Sequence, residues 1–216
     1  MSLLLLLSCG GEMPTQDVEP TESAPETVRA VHVDRAARQL SLLEDGVLTH
    51  SEAIGIGRGG LADKTSMSDF ITPTGTFTVD LVLHAAGTHN AVAPMTVAEE
   101  FSPLLADLEQ LFANMSSLDF DGDGSPDSAY GDAYIGLHSD SAVTGPKMRR
   151  HSGGTPYWYS IALHGTVPEN LGEANSGGCV HVDGSLLDRL IRDEVLALGS
   201  TVTISDAPPK AMGEGR

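Results

Sequence analysis

The sequence predicts a mainly β domain carrying one or two helices. Three observations lead there. Glycine is plentiful at 24 residues while aromatics are only 5%, a balance that suits many turns better than a helix bundle. Short β-branched and apolar runs follow one another from Val28 to Leu83, broken by turn dipeptides. A compact helical pattern, Leu186 to Val195, precedes a last β-branched run, Thr201–Ile204. A length of 216 residues suits one domain of ordinary size plus a tail.

Residues 1–9 read Met-Ser-Leu-Leu-Leu-Leu-Leu-Ser-Cys, too short an apolar run to span a bilayer. They read as the end of a secretory signal. Leu6-Leu7-Ser8-Cys9 also resembles a bacterial lipobox. That resemblance implies a diacylated Cys9 as the mature N-terminus and a lipid anchor on the periplasmic side of the cell envelope. Gly10 after the cysteine would favour the outer membrane in a Gram-negative cell. Residues 10–27 are acidic and rich in Pro and Thr. They cannot bury a core and are expected to form a disordered tether.

The folded domain is expected over 28–207. Ala30-Val31-His32-Val33 is a strand, turning through Asp34–Ala37 into Leu40–Leu43. Asp45-Gly46 is a hairpin dipeptide, and Val47 to Ile56 is its return strand. Gly55 to Ser68 is a glycine-rich polar loop. Thr72-Pro73-Thr74-Gly75 is a turn that opens the strand Thr76–Leu83. This succession implies a largely antiparallel sheet system.

Residues 84–154 carry different signals. Thr96-Val97-Ala98-Glu99 has capping-box form, and Ser102-Pro103 is a second plausible helix start. Phe101, Leu104, Leu105, Leu108, Leu111, Phe112 and Met115 recur at helical spacing. One amphipathic helix packed on the body is the expectation. A strand resumes at Tyr157–Leu163 with His164 at its end. Asp183 or Ser185 caps a helix running to Leu198, with Leu186, Leu187, Leu190, Ile191 and Val195 as its apolar stripe and Gly199 as its stop. Residues 208–216 read as a flexible tail.

Charge narrows the partners. Twelve basic against thirty acidic residues give a net charge of −18. Bulk attraction to nucleic acid or an anionic membrane surface is thereby excluded.

Chemistry concentrates in one stretch. His164 lies fifteen residues ahead of Cys179, which follows Ser176-Gly177-Gly178. There are two cysteines. If Cys9 carries lipid, Cys179 is a lone thiol in an oxidising compartment, where an idle thiol is a liability. A thiol and an imidazole within reach of backbone N–H groups suit nucleophilic acyl transfer. Cys179 is the candidate nucleophile and His164 the candidate acid and base. The N–H groups of Gly178 and Cys179 are oxyanion-hole candidates. The helix start a few residues later should favour thiolate. An inert buried cysteine and a structural histidine are the plainer alternatives.

His164-Gly165-Thr166, a short loop, then Ser176-Gly177-Gly178-Cys179-Val180 resembles the signature of the YkuD-type L,D-transpeptidase catalytic domain. Thr72-Pro73-Thr74-Gly75-Thr76-Phe77 is similar to the family's Thr-Pro-x-Gly-x-Phe strand. The resemblance covers residues 28–82 and 155–205, leaving 84–154 as an insertion. It implies a β-sandwich-like catalytic domain acting on peptidoglycan stem peptides, with no cofactor for catalysis. Cys179 would form an acyl-enzyme on a tetrapeptide stem and pass it to a second stem, giving a 3→3 cross-link. Water as acceptor would make a carboxypeptidase, and release of a wall-anchored protein would use the same thiol. Gly165 occupies the position whose carbonyl holds the imidazole in one tautomer. Ser176 and Thr166 would orient the loops. Two departures stand out. Gly177 replaces a histidine common before the Gly-Cys pair, and His181 replaces the family's arginine. Histidine supplies that cation only when protonated, so activity rising toward mildly acidic pH, or a substrate lacking the carboxylate that the arginine would meet, is expected. The reading from a different class is a non-catalytic envelope lipoprotein that binds peptidoglycan or calcium.

Asp119-Phe120-Asp121-Gly122-Asp123-Gly124-Ser125-Pro126-Asp127 matches the start of an EF-hand loop. Asp119, Asp121, Asp123, Ser125 and Asp127 are candidate oxygen ligands for a structural Ca²⁺. Tyr130 stands where that pattern wants Glu, with Asp132 as its substitute. His84, His89, His138 and His151 lack zinc-ligand spacing.

Overall fold

The computed structural model describes residues 27–93, 105–119, 122–126, 129–139, 147–150, 156–159 and 161–210. The expectations for Cys9, the tether up to residue 26, Thr96–Glu99, Ser102-Pro103, Asp121, Asp127, His151 and the tail beyond 210 lie outside them.

The chain begins as an antiparallel meander. Strand β1 (Arg29–Asp34) pairs with β2 (Gln39–Glu44), and β2 with β3 (Val47–Ala53). Asp45 and Gly46 turn the second hairpin at φ 50° and 77°, the left-handed pair that its two-residue loop requires. The return strand stops at Ala53. A separate short strand, β4 (Ile56–Gly57), pairs instead with β11 (Ala174–Ser176). The Gly75–His84 strand, β5, runs antiparallel to both β7 (Ala133–His138) and β13 (Thr201–Ser205). The short β6 (Ala91–Val92) flanks β5.

The expected strand 157–163 divides in two. Pro156–Tyr159 (β9) pairs with Lys147–Arg150 (β8) in a hairpin outside the main sheet. Ile161–Thr166 (β10) lies inside it, so His164 sits within a strand rather than after one. Val180–Asp183 (β12) pairs with β10 in parallel. The main sheet has the order β12-β10-β7-β5-β13-β1-β2-β3. It nearly closes on itself: Gly55, just past β3, exchanges both backbone hydrogen bonds with His181 of β12 at 2.9 Å. The β-branched strand residues alternate into this curved interior. Val31, Val33, Phe77, Ile135, Leu137, Leu163, Val180, Val182, Val202 and Ile204 are all buried there.

Helix α2 (Gly184–Arg192) closes that core with Leu186, Leu187, Leu190 and Ile191. Burying each such side chain contributes about 1.5–3 kcal/mol. Asp183 caps it, accepting from the N–H groups of Ser185 and Leu186 at 2.9 and 3.1 Å. The helix ends at Arg192, earlier than expected, because Val195 and Leu196 both turn back to donate to the Leu190 carbonyl. Helix α1 (Leu105–Ser116) packs on the body as a separate small cluster. Its Leu108 and Phe112 meet Leu81 and Leu83 of β5.

One buried cation staples the segments that follow β1 and β13 to the loop after β4. Arg35 is 1% exposed. It forks onto the Asp206 carboxylate at 2.8 and 2.7 Å and donates to the carbonyls of Thr72 and Leu61. The 58–74 loop is thereby held against the ends of β1 and β13.

Candidate active site

Strand pairing brings the two halves of the predicted site together. In the parallel β10–β12 ladder Leu163 faces Val180 and His164 faces His181. Leu163, Val180 and Val182 turn into the core. Strand alternation therefore puts His164 and His181 on the other face, where their rings meet edge-on with centroids 4.8 Å apart. Cys179 immediately precedes β12, two residues from His181, and is partly exposed.

His164 is held in one tautomer. Its Nδ1 lies 2.8 Å from the Gly165 carbonyl oxygen. A carbonyl only accepts, so Nδ1 carries the proton and Nε2 is left with a lone pair. Burial pushes the His164 pKa down to about 3, and the neighbouring His181 adds to the shift, while the Gly165 carbonyl opposes it. Burial likewise pushes the Cys179 thiol up, against the Ala162 backbone hydrogen bond and the Lys64 charge. At rest the Cys179 thiol and the His164 imidazole are thus both neutral. At the start of helix α2 the Asp183 carboxylate accepts from the N–H groups of Ser185 and Leu186.

The Cys179 turn is latched by Ser176. Its hydroxyl donates to the Cys179 carbonyl at 2.6 Å and accepts from the Gly178 N–H at 3.0 Å. Of the two expected oxyanion donors, Gly178 is therefore engaged, and the Cys179 N–H is the one left to meet a developing charge. Gly178 takes φ +124°, and a Cβ there would sit 3.1 Å from the Ile71 carbonyl. Only glycine fits that turn. Thr72 of the Thr-Pro-Thr-Gly turn is buried and accepts from the Gly57 N–H at 2.8 Å, locking the β4 segment beside the same loop. Thr166 accepts from Asn170, whose own amide oxygen accepts from Asn175. It thus ties β10 to the loop before β11.

His181 does not act as a ready cation. Burial lowers its pKa, and its Nδ1 is buried with no partner among the described residues. The charge that mildly acidic pH was expected to place there is opposed by desolvation.

Three residues whose place here was missed in the sequence join the site. Tyr130 lies over His164 with ring centroids 4.8 Å apart, and Tyr134 stacks on it at 6.2 Å. A glycine contact sets this up. Gly131, at φ +55°, packs on Gly165 so closely that a Cβ on Gly131 would be 2.7 Å from the Gly165 Cα. Thus the turn that enters β7 covers the imidazole. Lys64, with a side chain 2% exposed, bonds Asp69 at 2.9 Å and the Ile71 carbonyl at 3.0 Å. No motif marks Tyr134 or Lys64, and Tyr130 stands out only as the residue where the EF-hand pattern wants Glu.

The Asp-rich loop ends only a few residues before Tyr130. Asp119 accepts from the N–H groups of Gly122 and Gly124 at 2.6 and 2.9 Å, and Asp123 from that of Ser125 at 2.7 Å. No group of three or more His, Cys, Asp or Glu side chains is gathered for a metal among the described residues. No helix among them is long and apolar enough to cross a membrane.

The YkuD family, described as the L,D-transpeptidase catalytic domain, matches residues 28–204. Among solved structures, the chain is similar to Bd1075 of Bdellovibrio bacteriovorus (17% identity, TM-score 0.45, covering 82% of this chain and 48% of that one). It is also similar to an L,D-transpeptidase of Xylanimonas cellulosilytica (17%, 0.42, 85% and 63%). The helical cell shape determining protein Pgp2 of Campylobacter jejuni is a third (15%, 0.48, 85% and 48%). The chain spans 48–63% of the length of these three. No curated protein matches it.

Proposed function

The chain belongs to the YkuD family of L,D-transpeptidase catalytic domains, and from that premise we propose that it forms 3→3 cross-links in peptidoglycan through a Cys179 acyl-enzyme. The observation that carries this reading is His164, its Nδ1 proton held by Gly165 and its Nε2 free to accept, on the strand paired with the one that follows Cys179.

The steps follow from the neutral resting pair. The Cys179 sulfur attacks the carbonyl of the third stem residue while its proton passes to His164 Nε2. The oxygen of the tetrahedral adduct gathers charge facing the Cys179 N–H. As the C–N bond to the terminal D-alanine breaks, His164 returns the proton to the departing amine. The thioester remains. An acceptor amine then attacks, giving its proton to His164, and Cys179 leaves and recovers it. Ser176 and Thr166 hold the two loops in register during this exchange. Incubating the protein with a disaccharide-tetrapeptide tests the reading, since it predicts free D-alanine and a cross-linked dimer. No product from folded protein would leave the non-catalytic wall-binding alternative standing.

A second reading, L,D-carboxypeptidase, is favoured by the Tyr130 turn over His164, which narrows the approach to the imidazole and favours water over a bulky acceptor. Tripeptide without dimer in the same assay would select it. Release of a wall-anchored protein would show instead as activity confined to protein–stem conjugates.

The proposal extends to the envelope. Cys9 is assigned as a lipid attachment site, which fatty-acid labelling lost in Cys9→Ala would support. Asp119, Asp121, Asp123, Ser125 and Asp127 are assigned a structural Ca²⁺.

A further inference from the structure

Cys179 must become anionic during attack, yet its surroundings supply little positive charge. The titratable groups about it are His164 and His181 on the paired strands, Tyr130 above them, and Lys64 and Asp69 on the 63–71 loop. Both imidazoles are kept neutral by burial. The Arg58 guanidinium is laid over the Phe70 ring, 3.7 Å from its centroid. Lys64 is different. Its ammonium is buried, and a buried ammonium persists only when paired.

The pairing leaves that charge usable. Asp69 spreads its carboxylate over four donors, namely Lys64 and the N–H groups of Thr65, Ser66 and Ile71. Burial alone would raise its pKa, but these hydrogen bonds hold it well below the usual carboxylate range. Lys64 uses two of its three donors, on Asp69 and on the Ile71 carbonyl at 3.0 Å. That same carbonyl oxygen abuts Gly178, 3.1 Å from where its Cβ would be, one residue before Cys179. The ammonium is therefore seated against the back of the nucleophile turn.

We propose that Lys64 is a positioning residue for Cys179, its buried ammonium on the Ile71 carbonyl supplying the positive charge that His181 does not. This rests on Cys179 being the nucleophile. The charge favours the thiolate as it forms and opposes the burial that pushes the thiol up. Asp69 orients Lys64 and the 65–71 turn.

The test is Cys179 alkylation by iodoacetamide against pH, read on the Cys179 peptide of the full chain by mass spectrometry. Lys64→Met keeps the length of the side chain and removes its charge. It is expected to raise the alkylation midpoint by about one pH unit, a roughly tenfold slower reaction at fixed pH below both midpoints. Lys64→Arg should restore most of the wild-type profile. A purely structural lysine would lower thermal stability and leave the midpoint in place. The unsubstituted chain carries the same test, because a local cation favours an anionic reagent. The rate ratio of iodoacetate to iodoacetamide at Cys179 should be at least about threefold higher in the folded chain than in urea. An unchanged midpoint in folded Lys64→Met, or a folded ratio no higher than the unfolded one, overturns the proposal. Alkylation needs no substrate, so a missing acyl-enzyme would count against the proposed function alone.

Discussion

His164 and His181 occupy register-paired positions on neighbouring parallel strands, and their rings meet edge-on with centroids 4.8 Å apart. His181 makes a positive charge on His164 harder to hold, and burial opposes one on His181. Two buried histidines, both kept neutral, are what a base needs and what an anion-binding site does not.

Stability should therefore fall in acid. The His164 pKa is about 3 in the folded chain against an ordinary value of 6.5. Below 6.5 the unfolded chain takes up a proton that the folded chain refuses. Stability from this group is complete above 6.5 and is lost as pH falls toward 3, by up to about 1.4 kcal/mol per pH unit. His181, lowered for the same reason, adds in the same direction. Urea unfolding between pH 7 and 5 should show a steep loss for the wild type and a shallower one for His164→Gln. Equal slopes would mean that the imidazole is not desolvated.

Ser176→Ala should weaken both fold and chemistry. The buried hydroxyl serves the Cys179 carbonyl and the Gly178 N–H together. Removing it leaves two backbone groups unsatisfied at a cost of about 1–3 kcal/mol. Denaturant midpoints should drop by that amount, and acylation by more than the remaining folded fraction explains.

Gly165→Ala probes the Tyr130 cover. Its Cβ would lie 3.0 Å from the Gly131 Cα and 3.2 Å from the Tyr130 carbonyl. The turn must shift, costing about 1–3 kcal/mol, and His164 becomes better solvated. Its imidazole signal in an NMR titration should then move to a higher pKa than in the wild type.

Arg35→Met should cost about 2–3 kcal/mol, because the Thr72 and Leu61 carbonyls lose a buried donor. Arg29→Ala breaks the exposed Arg29–Glu44 pair and an exposed hydrogen bond to the Asp193 carbonyl, and should change stability by less than about 1 kcal/mol. Urea denaturation of both variants separates the two cases.

Calcium should bind the 119–127 loop. Isothermal titration should show one site lost in Asp119→Asn, and saturation should raise the thermal midpoint. No heat at millimolar Ca²⁺ would dispose of that site.

The hairpin at Asp45-Gly46, the strand after Thr72-Pro73, the Asp183 cap and the His164–Cys179 pair were legible because each rests on local chemistry or a short motif. Asp183 announces itself by preceding an apolar stripe. Lys64 and Tyr130 could not be read this way. Lys64 reaches the Cys179 turn only because the Ile71 carbonyl folds against Gly178, a contact between distant segments. Tyr130 reads as a misplaced EF-hand ligand until Gly131 and Gly165 are seen to touch. The neutrality of His181 was hidden for a related reason, since burial belongs to the packed sheet. The single clue was its place between Val180 and Val182 in a β-branched run.

The most direct measurement is the intact mass of the full chain after brief mixing with a disaccharide-tetrapeptide, alongside Cys179→Ala. The account predicts a wild-type adduct equal to substrate minus D-alanine, mapped to Cys179 and absent from the variant. A folded wild-type chain that forms no adduct, or a Cys179→Ala chain that still releases D-alanine, would contradict it.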